Sequence, residues 1–259
     1  MLNVEPIPAF DDNYIWLLRE ADRAGVAVVD PGDADPVIER LRAAGLDLAA
    51  VLITHHHQDH IGGVADLLAH WPDALVAAPN DRRIAKATRR VGEGDSVAIP
   101  GFETRFDVIE VPGHTSTHIA YLADGVLFCG DTLFAAGCGR VFDGTFEQLA
   151  ASLRRISELP PRTLCYCAHE YTLANLGFAA WVEPDSTALA DRTEQARRLR
   201  DAGEPTVPST LAMELATNPF LRTAEPAVKS AAEGFAGQTL TDQTTVFSAL
   251  RRWKDQRYD

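Results

Sequence analysis

The segment Thr54-His55-His56-His57-Gln58-Asp59-His60 follows directly on the apolar run Ala49 to Ile53 and holds four of the chain's eight histidines in six residues. A capping turn with solvated histidines accounts poorly for that density, so the segment reads as a metal-binding loop at the end of a buried strand. Side chains alternate along an extended chain, which projects His55 and His57 to one side and His56 to the other. A turn into a helix near Ile61 then brings Asp59 and His60 round beside them. Two imidazoles in one place and a carboxylate with an imidazole in another are enough to begin two adjacent metal sites.

One segment cannot complete either coordination sphere. Three further places have the required form, each after a strand-like run: His114 in Val111-Pro112-Gly113-His114-Thr115, Asp131 in Phe128-Cys129-Gly130-Asp131-Thr132, and His169 in Tyr166-Cys167-Ala168-His169-Glu170. Taken alone, each is a weak signal, since a lone strand-end histidine is more often structural. Loops at strand ends, held by a rigid sheet, are nevertheless where such ligands commonly sit.

Two regions of different texture carry these motifs. Up to about Tyr171, short β-rich runs (14–18, 25–29, 50–53, 106–111, 119–122, 126–129) alternate with helical periodicity at Pro36 to Ala44, Ile61 to Trp71 and Phe146 to Leu159. Beyond it Ala, Leu, Arg and Glu accumulate over 173–181, 186–202, 209–215 and 240–257, which predicts a helical domain. Asp242 or Thr241 can cap the last helix, where Val246, Phe247, Leu250 and Trp253 share a face. The expected division is 1–171 and 172–259.

Taken together the ligand set resembles the metallo-β-lactamase superfamily, whose T-H-x-H-x-D-H signature is matched at every fixed position. That resemblance implies an α+β fold, a four-layer αββα sandwich followed here by a C-terminal α-helical domain. It implies one metal on His55, His57 and His114, a second on Asp59, His60 and His169, and Asp131 bridging them. Asp30, in Val29-Asp30-Pro31-Gly32, resembles the family's supporting carboxylate.

Other motifs narrow the resemblance to the glyoxalase II (hydroxyacylglutathione hydrolase) family: Ile7-Pro8-Ala9-Phe10 with Asp12-Asn13-Tyr14, Gly137-Cys138-Gly139-Arg140, His169-Glu170-Tyr171-Thr172, Asn218-Pro219-Phe220-Leu221-Arg222 and Arg251-Arg252-Trp253-Lys254-Asp255. What this implies is hydrolysis of S-D-lactoylglutathione to glutathione and D-lactate by a metal-bridged hydroxide, the second step of methylglyoxal detoxification. The cofactor expected is two divalent ions per chain, Zn first, Fe or Mn as alternatives, with Asp59 and Asp131 serving the chemistry as well as the metals. A thiolate leaving group needs no strong general acid, its reference pKa being about 8.5.

Arg140, Phe142, Tyr171, Arg251 and Lys254 are the substrate-binding residues the resemblance implies. Residues 245–259 carry four basic and two acidic groups on a chain of net charge −13, and a glutathione thioester offers two carboxylates to such groups. Arg251 and Lys254 are spaced to share one helical face. Arg140 stands where some relatives have Lys, and it can still grip a carboxylate. Phe142 replaces a Tyr found in some; losing that hydroxyl contact costs about 0.5–1.5 kcal/mol.

The acidic balance disfavours nucleic acid and anionic lipid as partners. No run approaches a membrane span and the N-terminus lacks the build of a signal peptide, so the expectation is a cytoplasmic protein, a monomer by default. Cys129, Cys138, Cys165 and Cys167 form no C-x-x-C pair and read as small buried hydrophobes. Trp16, Trp71, Trp181 and Trp253 read as core or domain-contact aromatics, His118 as a local hydrogen-bonding residue, and His56 and His70 as solvated or structural. The rival readings are a mononuclear-iron glutathione-persulfide dioxygenase, whose relatives generally lack the helical domain, and a non-catalytic metal-binding member of the fold.

Overall fold

A computed structural model describes residues 2–21 and 25–258. Met1 of the N-terminal reading and Asp259 of the terminal charge balance lie outside the described residues. The chain divides into two compact units, Met1–Glu110 with Thr117–Gly130, and Val111–Ser116 with Asp131–Asp259.

The first unit runs β1 (Leu2–Ala9), β2 (Asn13–Glu20), β3 (Gly25–Val29), α1 (Asp35–Ala44), β4 (Asp47–Leu52), α2 (Gln58–Ile61), α3 (Val64–His70), β5 (Leu75–Pro79), β6 (Arg89–Val91), β7 (Ser96–Ala98), β8 (Arg105–Glu110), β9 (Ile119–Ala123) and β10 (Val126–Gly130). One sheet has the order β1-β2-β3-β4-β5-β6, antiparallel from β1 to β3 and parallel from β3 to β6. Strands β7 to β10 form an antiparallel meander.

Both faces of the first sheet are buried, and the alternation shows what each meets. Ile15, Leu17, Val26, Val28, Val51 and Val76 pack with Val37, Ile38 and Leu41 of α1 and Val64 and Leu67 of α3. The opposite set, including Trp16, Leu18, Ala27, Val29, Leu52 and Ala77, is equally buried. It faces the meander, from which the Tyr121 hydroxyl donates across to the Ile53 and Ala77 carbonyls, both at 3.0 Å. Helix, sheet and sheet thus stack as layers, and the ligand-bearing loop leaves the buried strand β4.

The second unit runs β11 (Leu133–Phe134), β12 (Gly137–Cys138), α4 (Phe146–Ser157), β13 (Leu164–Cys167), α5 (Thr172–Val182), α6 (Thr187–Asp201), β14 (Ser209–Thr210), α7 (Leu211–Thr217), α8 (Pro226–Ala236) and α9 (Gln243–Arg257). An aromatic cluster joins its helices: Phe178 meets Phe220, Trp253 and Tyr258, and Phe220 meets Phe247. Buried Glu214 accepts from Arg192, from the Ser209 hydroxyl (2.6 Å) and from the Ala136 amide (2.8 Å). Beside it Asn218 donates to the carbonyls of Phe134 (3.2 Å) and Gly137 (2.9 Å), so the Asn-Pro-Phe-Leu-Arg motif pins the β11–β12 ribbon.

Several sequence expectations need correction. The helix predicted over Ile61 to Trp71 begins only at Val64, as α3, and a separate short helix, α2, precedes it; the Gly63 amide donates to the Pro31 carbonyl (3.0 Å) instead of continuing an α ladder. A Cβ at Gly63 would stand 2.5 Å from the Ala34 nitrogen, so only glycine permits that approach. Ser209 and Thr210 pair with Cys165 and Leu164 as a strand, and the helix begins at Leu211. Strand β1 escapes the sequence pattern because Pro6 and Pro8 lower its β signal; as an edge strand it pairs with β2 alone. Trp181 is half-exposed rather than core, with its edge on Tyr258. The four cysteines are free and buried, and Asp242, not Thr241, caps α9, accepting from Thr245 N at 2.9 Å. Among the described residues no helix is long and apolar enough to cross a membrane.

Candidate active site

In the first unit the histidine loop is organised by Asp30, which ends β3 with φ 51°. Its Oδ1 accepts from the Thr54 amide at 2.8 Å, and its Oδ2 accepts from the Thr54 hydroxyl at 2.7 Å and from His60 Nδ1 at 3.1 Å. An ionised carboxylate only accepts, so His60 carries its proton on Nδ1 and a lone pair on Nε2. The single Thr54 hydroxyl proton goes to Asp30, so at His55 Nδ1, 3.0 Å away, that oxygen must accept. His55 therefore also holds a lone pair on Nε2, and this atom lies 3.1 Å from His57 Nδ1. Ligand atoms of Asp30, His55 and His60 fall within 4.8 Å of one another.

Asp59 Oδ2 is 3.4 Å from His60 Nε2 and accepts from Asn13 Nδ2 at 3.2 Å. His118 stacks on His55, with ring centroids 4.6 Å apart. His56 turns the other way, as strand alternation predicts, and its Nδ1 lies 3.5 Å from Asp81 Oδ2. Asp81 takes hydrogen bonds from Arg83 Nη2 (2.6 Å) and Thr117 Oγ1 (2.7 Å). The Arg83 guanidinium, aided by Thr117, holds this buried carboxyl well below the usual carboxylate range although desolvation opposes it.

In the second unit His114 donates from Nδ1 to the Arg140 carbonyl at 2.7 Å, which again leaves a lone pair on Nε2, 3.4 Å from Asp131 Oδ2. The other Asp131 oxygen is 3.5 Å from His169 Nε2. Asp131 is thus flanked by two imidazoles, all three buried. The close wrap requires Gly139, whose Cβ would sit 2.0 Å from the Asp131 carbonyl and 3.0 Å from His114 Nδ1. The Phe142 ring meets His114 edge-on at 5.2 Å, and Tyr171 stacks on His169 at 4.8 Å and 6°.

The same unit gathers the basic residues. Arg251 and Lys254 do share the buried face of α9, whereas Arg252 and Arg257 are exposed. Arg251 is only 1% exposed; it donates from Nη1 to the Cys138 carbonyl (3.0 Å) and from Nε and Nη2 to Asp255 Oδ1 (3.1 and 2.8 Å). The Lys254 ammonium lies 5.7 Å from the centre of the Tyr258 ring. Arg140, with a side chain 56% exposed, approaches the same Asp255 oxygen at 3.8 Å. Burial pushes the Cys138 thiol up to about 11 despite neighbouring Arg251, so it is no nucleophile at neutral pH.

The donor chemistry in both units suits a divalent cation. Neutral imidazoles fixed by a hydrogen bond at one nitrogen present the other, beside carboxylates, in the manner of supported metal ligands. The Asp81–Arg83 and Arg251–Asp255 spacings are visible in the sequence, but nothing local joins Asp81 to His56 and Thr117 or Asp255 to Arg140. Asn13 could have been suspected from the Asp12-Asn13-Tyr14 motif.

Comparison with known proteins gives a consistent result. The family described as "Metallo-beta-lactamase superfamily" matches residues 9–169, and the one described as "Hydroxyacylglutathione hydrolase C-terminus" matches residues 170–257. A protein named hydroxyacylglutathione hydrolase from Alkalilimnicola ehrlichii is 56% identical over 256 residues, 99% of this chain and 100% of that one. Among solved structures, ETHE1 from Myxococcus xanthus shares the fold at TM-score 0.68 and 22% identity, covering 100% of this chain and 93% of that one. TTHA1623, solved in a di-iron-bound form, matches at TM-score 0.60 and 26% identity, covering 84% of this chain and 100% of the other.

Proposed function

The chain belongs to the hydroxyacylglutathione hydrolase family of the metallo-β-lactamase superfamily, and from that premise we propose that it hydrolyses S-D-lactoylglutathione to glutathione and D-lactate, the second step of methylglyoxal detoxification. The observation that carries this reading is the coexistence of seven metal-type ligands with a C-terminal region, residues 170–257, that matches the hydrolase's own C-terminus. We take 1–171 as the catalytic domain and 172–259 as the substrate-binding domain, a division supported by the meeting point of the two family matches. Free, buried cysteines suit the reducing cytoplasm, where glutathione is held.

In this reading His55, His57 and His114 would hold one divalent metal and Asp59, His60 and His169 another, with Asp131 available to the pair. Zinc fits the His/Asp set, as do iron and manganese. When bound, such a pair supplies an activated water and a Lewis acid for the thioester carbonyl. The protein's own part is positional. Asp30 and the Arg140 carbonyl fix the tautomers of His60 and His114, and Asn13 orients Asp59. Arg140, Tyr171, Arg251 and Lys254 are the residues we assign to the glutathione moiety, with Phe142 offering an apolar edge.

The test is thioester loss followed by absorbance, with metal content measured on the same samples. Wild type should consume S-D-lactoylglutathione, and Asp131→Asn should lose metal together with at least about 100-fold in rate, the upper range for damage to a metal site. Wild-type turnover by that variant would count against the assignment. The dioxygenase alternative predicts oxygen uptake with glutathione persulfide instead.

A further inference from the structure

An acidic residue lies at the centre of the basic cluster that the proposed substrate's carboxylates need. Asp255 Oδ1 is shared between Arg251, which reaches it through both Nε and Nη2, and Arg140, 3.8 Å away. The Nε/Nη2 edge is the one with which an arginine grips a carboxylate bidentately. In Arg251 that edge is directed at Asp255, and Nη1 is directed at the Cys138 carbonyl. Three of the Arg251 N–H groups are thereby tied to α9 and to the β12 strand. Arg140, on the loop whose carbonyl fixes His114, is the exposed cation of the pair.

Without an anion between them, the Arg251 and Arg140 guanidinium groups and the Lys254 ammonium repel one another, and Asp255 offsets that repulsion for the two arginines it approaches. We propose that Asp255 is the positioning residue of this anion-binding corner: it locks Arg251 in place and orients Arg140, so that the protein favours thioesters whose thiol carrier bears carboxylates. The inference rests on the hydrolase reading and adds a residue to it. It also sets the sign of the effect. A carboxylate acting only through its charge would repel the substrate, and its removal would tighten binding; a positioning carboxylate makes removal weaken it.

The deciding experiment compares wild type, Asp255→Asn and Asp255→Glu by calorimetric titration with glutathione, and by kinetics on S-D-lactoylglutathione and on the lactoyl thioester of N-acetylcysteamine, which has no carboxylate. For Asp255→Asn we expect glutathione Kd and the KM of the glutathione thioester to rise about tenfold, the scale of one lost charge-assisted hydrogen bond. Its preference for the glutathione thioester over the carboxylate-free one should fall by a similar factor, and Asp255→Glu should restore most of it. Unchanged or tighter glutathione binding in Asp255→Asn would overturn the proposal, as would equal losses on both thioesters, the mark of a general structural defect. If wild type binds glutathione but leaves the thioester intact, the hydrolase reading falls while the Kd comparison still decides the role of Asp255. If wild type does not bind glutathione, both fall.

Discussion

Three histidines reach one chemical state by three different partners: His60 through a carboxylate, His55 through a threonine hydroxyl already committed to that carboxylate, and His114 through a backbone carbonyl. Asp30 stands behind two of them. Asp30→Asn can no longer accept from Thr54 and His60 together, so metal affinity should drop about 10–100-fold, measured by competition with a chromophoric chelator. Asp81 gives a pH-dependent case. Its folded-state pKa lies well below that of the unfolded chain, so the ionised carboxylate stabilises the fold at neutral pH, and that increment begins to be lost as pH falls below about 4 and is lost fully only once pH has passed the folded-state value. The Tm gap between wild type and Asp81→Asn should therefore be open at pH 7 and narrow toward pH 3; a constant gap would contradict this origin. At this scale the candidate ligands His55, His57, Asp59 and His60 were legible because T-H-x-H-x-D-H is compressed into seven residues. Asp81 was legible only toward Arg83, two positions on; its partners His56 and Thr117 are 25 and 36 positions away and no spacing announces them.

Elements were legible where periodicity was undisturbed. Strand β3 falls on the predicted 25–29, and helix α4 starts at Phe146 behind a Thr145–Gln148 capping box. They were misread where a distant contact overrides a local pattern, as at Gly62-Gly63, where the backbone of the turn after β3 approaches and delays the predicted helix to Val64, behind the separate short α2. Gly63→Ala should consequently destabilise the protein by more than the roughly 1 kcal/mol that alanine usually gains over glycine in a helix, reversing its sign. Thermal unfolding reads this directly, and a stabilised variant would refute the close-approach argument. Helix α9 carries Arg251 and Lys254 behind its Asp242 cap. Asp242→Ala should cost about 1 kcal/mol of stability in denaturant melts.

The molecule as a whole combines an acidic chain of net charge −13 with a small group of basic residues, Arg140, Arg251 and Lys254, gathered in its second unit. Its family was legible end to end because motifs recur from Ile7 to Asp255, and relatives at 50–56% identity span 96–99% of the chain. Neither the metal load nor the division of labour among the basic residues could be read that way, since His and Asp sets accept several ions and a charge count does not say which charges are buried. The most direct test of the central claim is to strip the protein with chelator, return divalent zinc in measured increments, and follow S-D-lactoylglutathione hydrolysis and bound metal together. The account predicts no turnover in the stripped protein and recovery that saturates near two ions per chain. Full activity without metal, or two bound ions with no hydrolysis of this thioester, would contradict it.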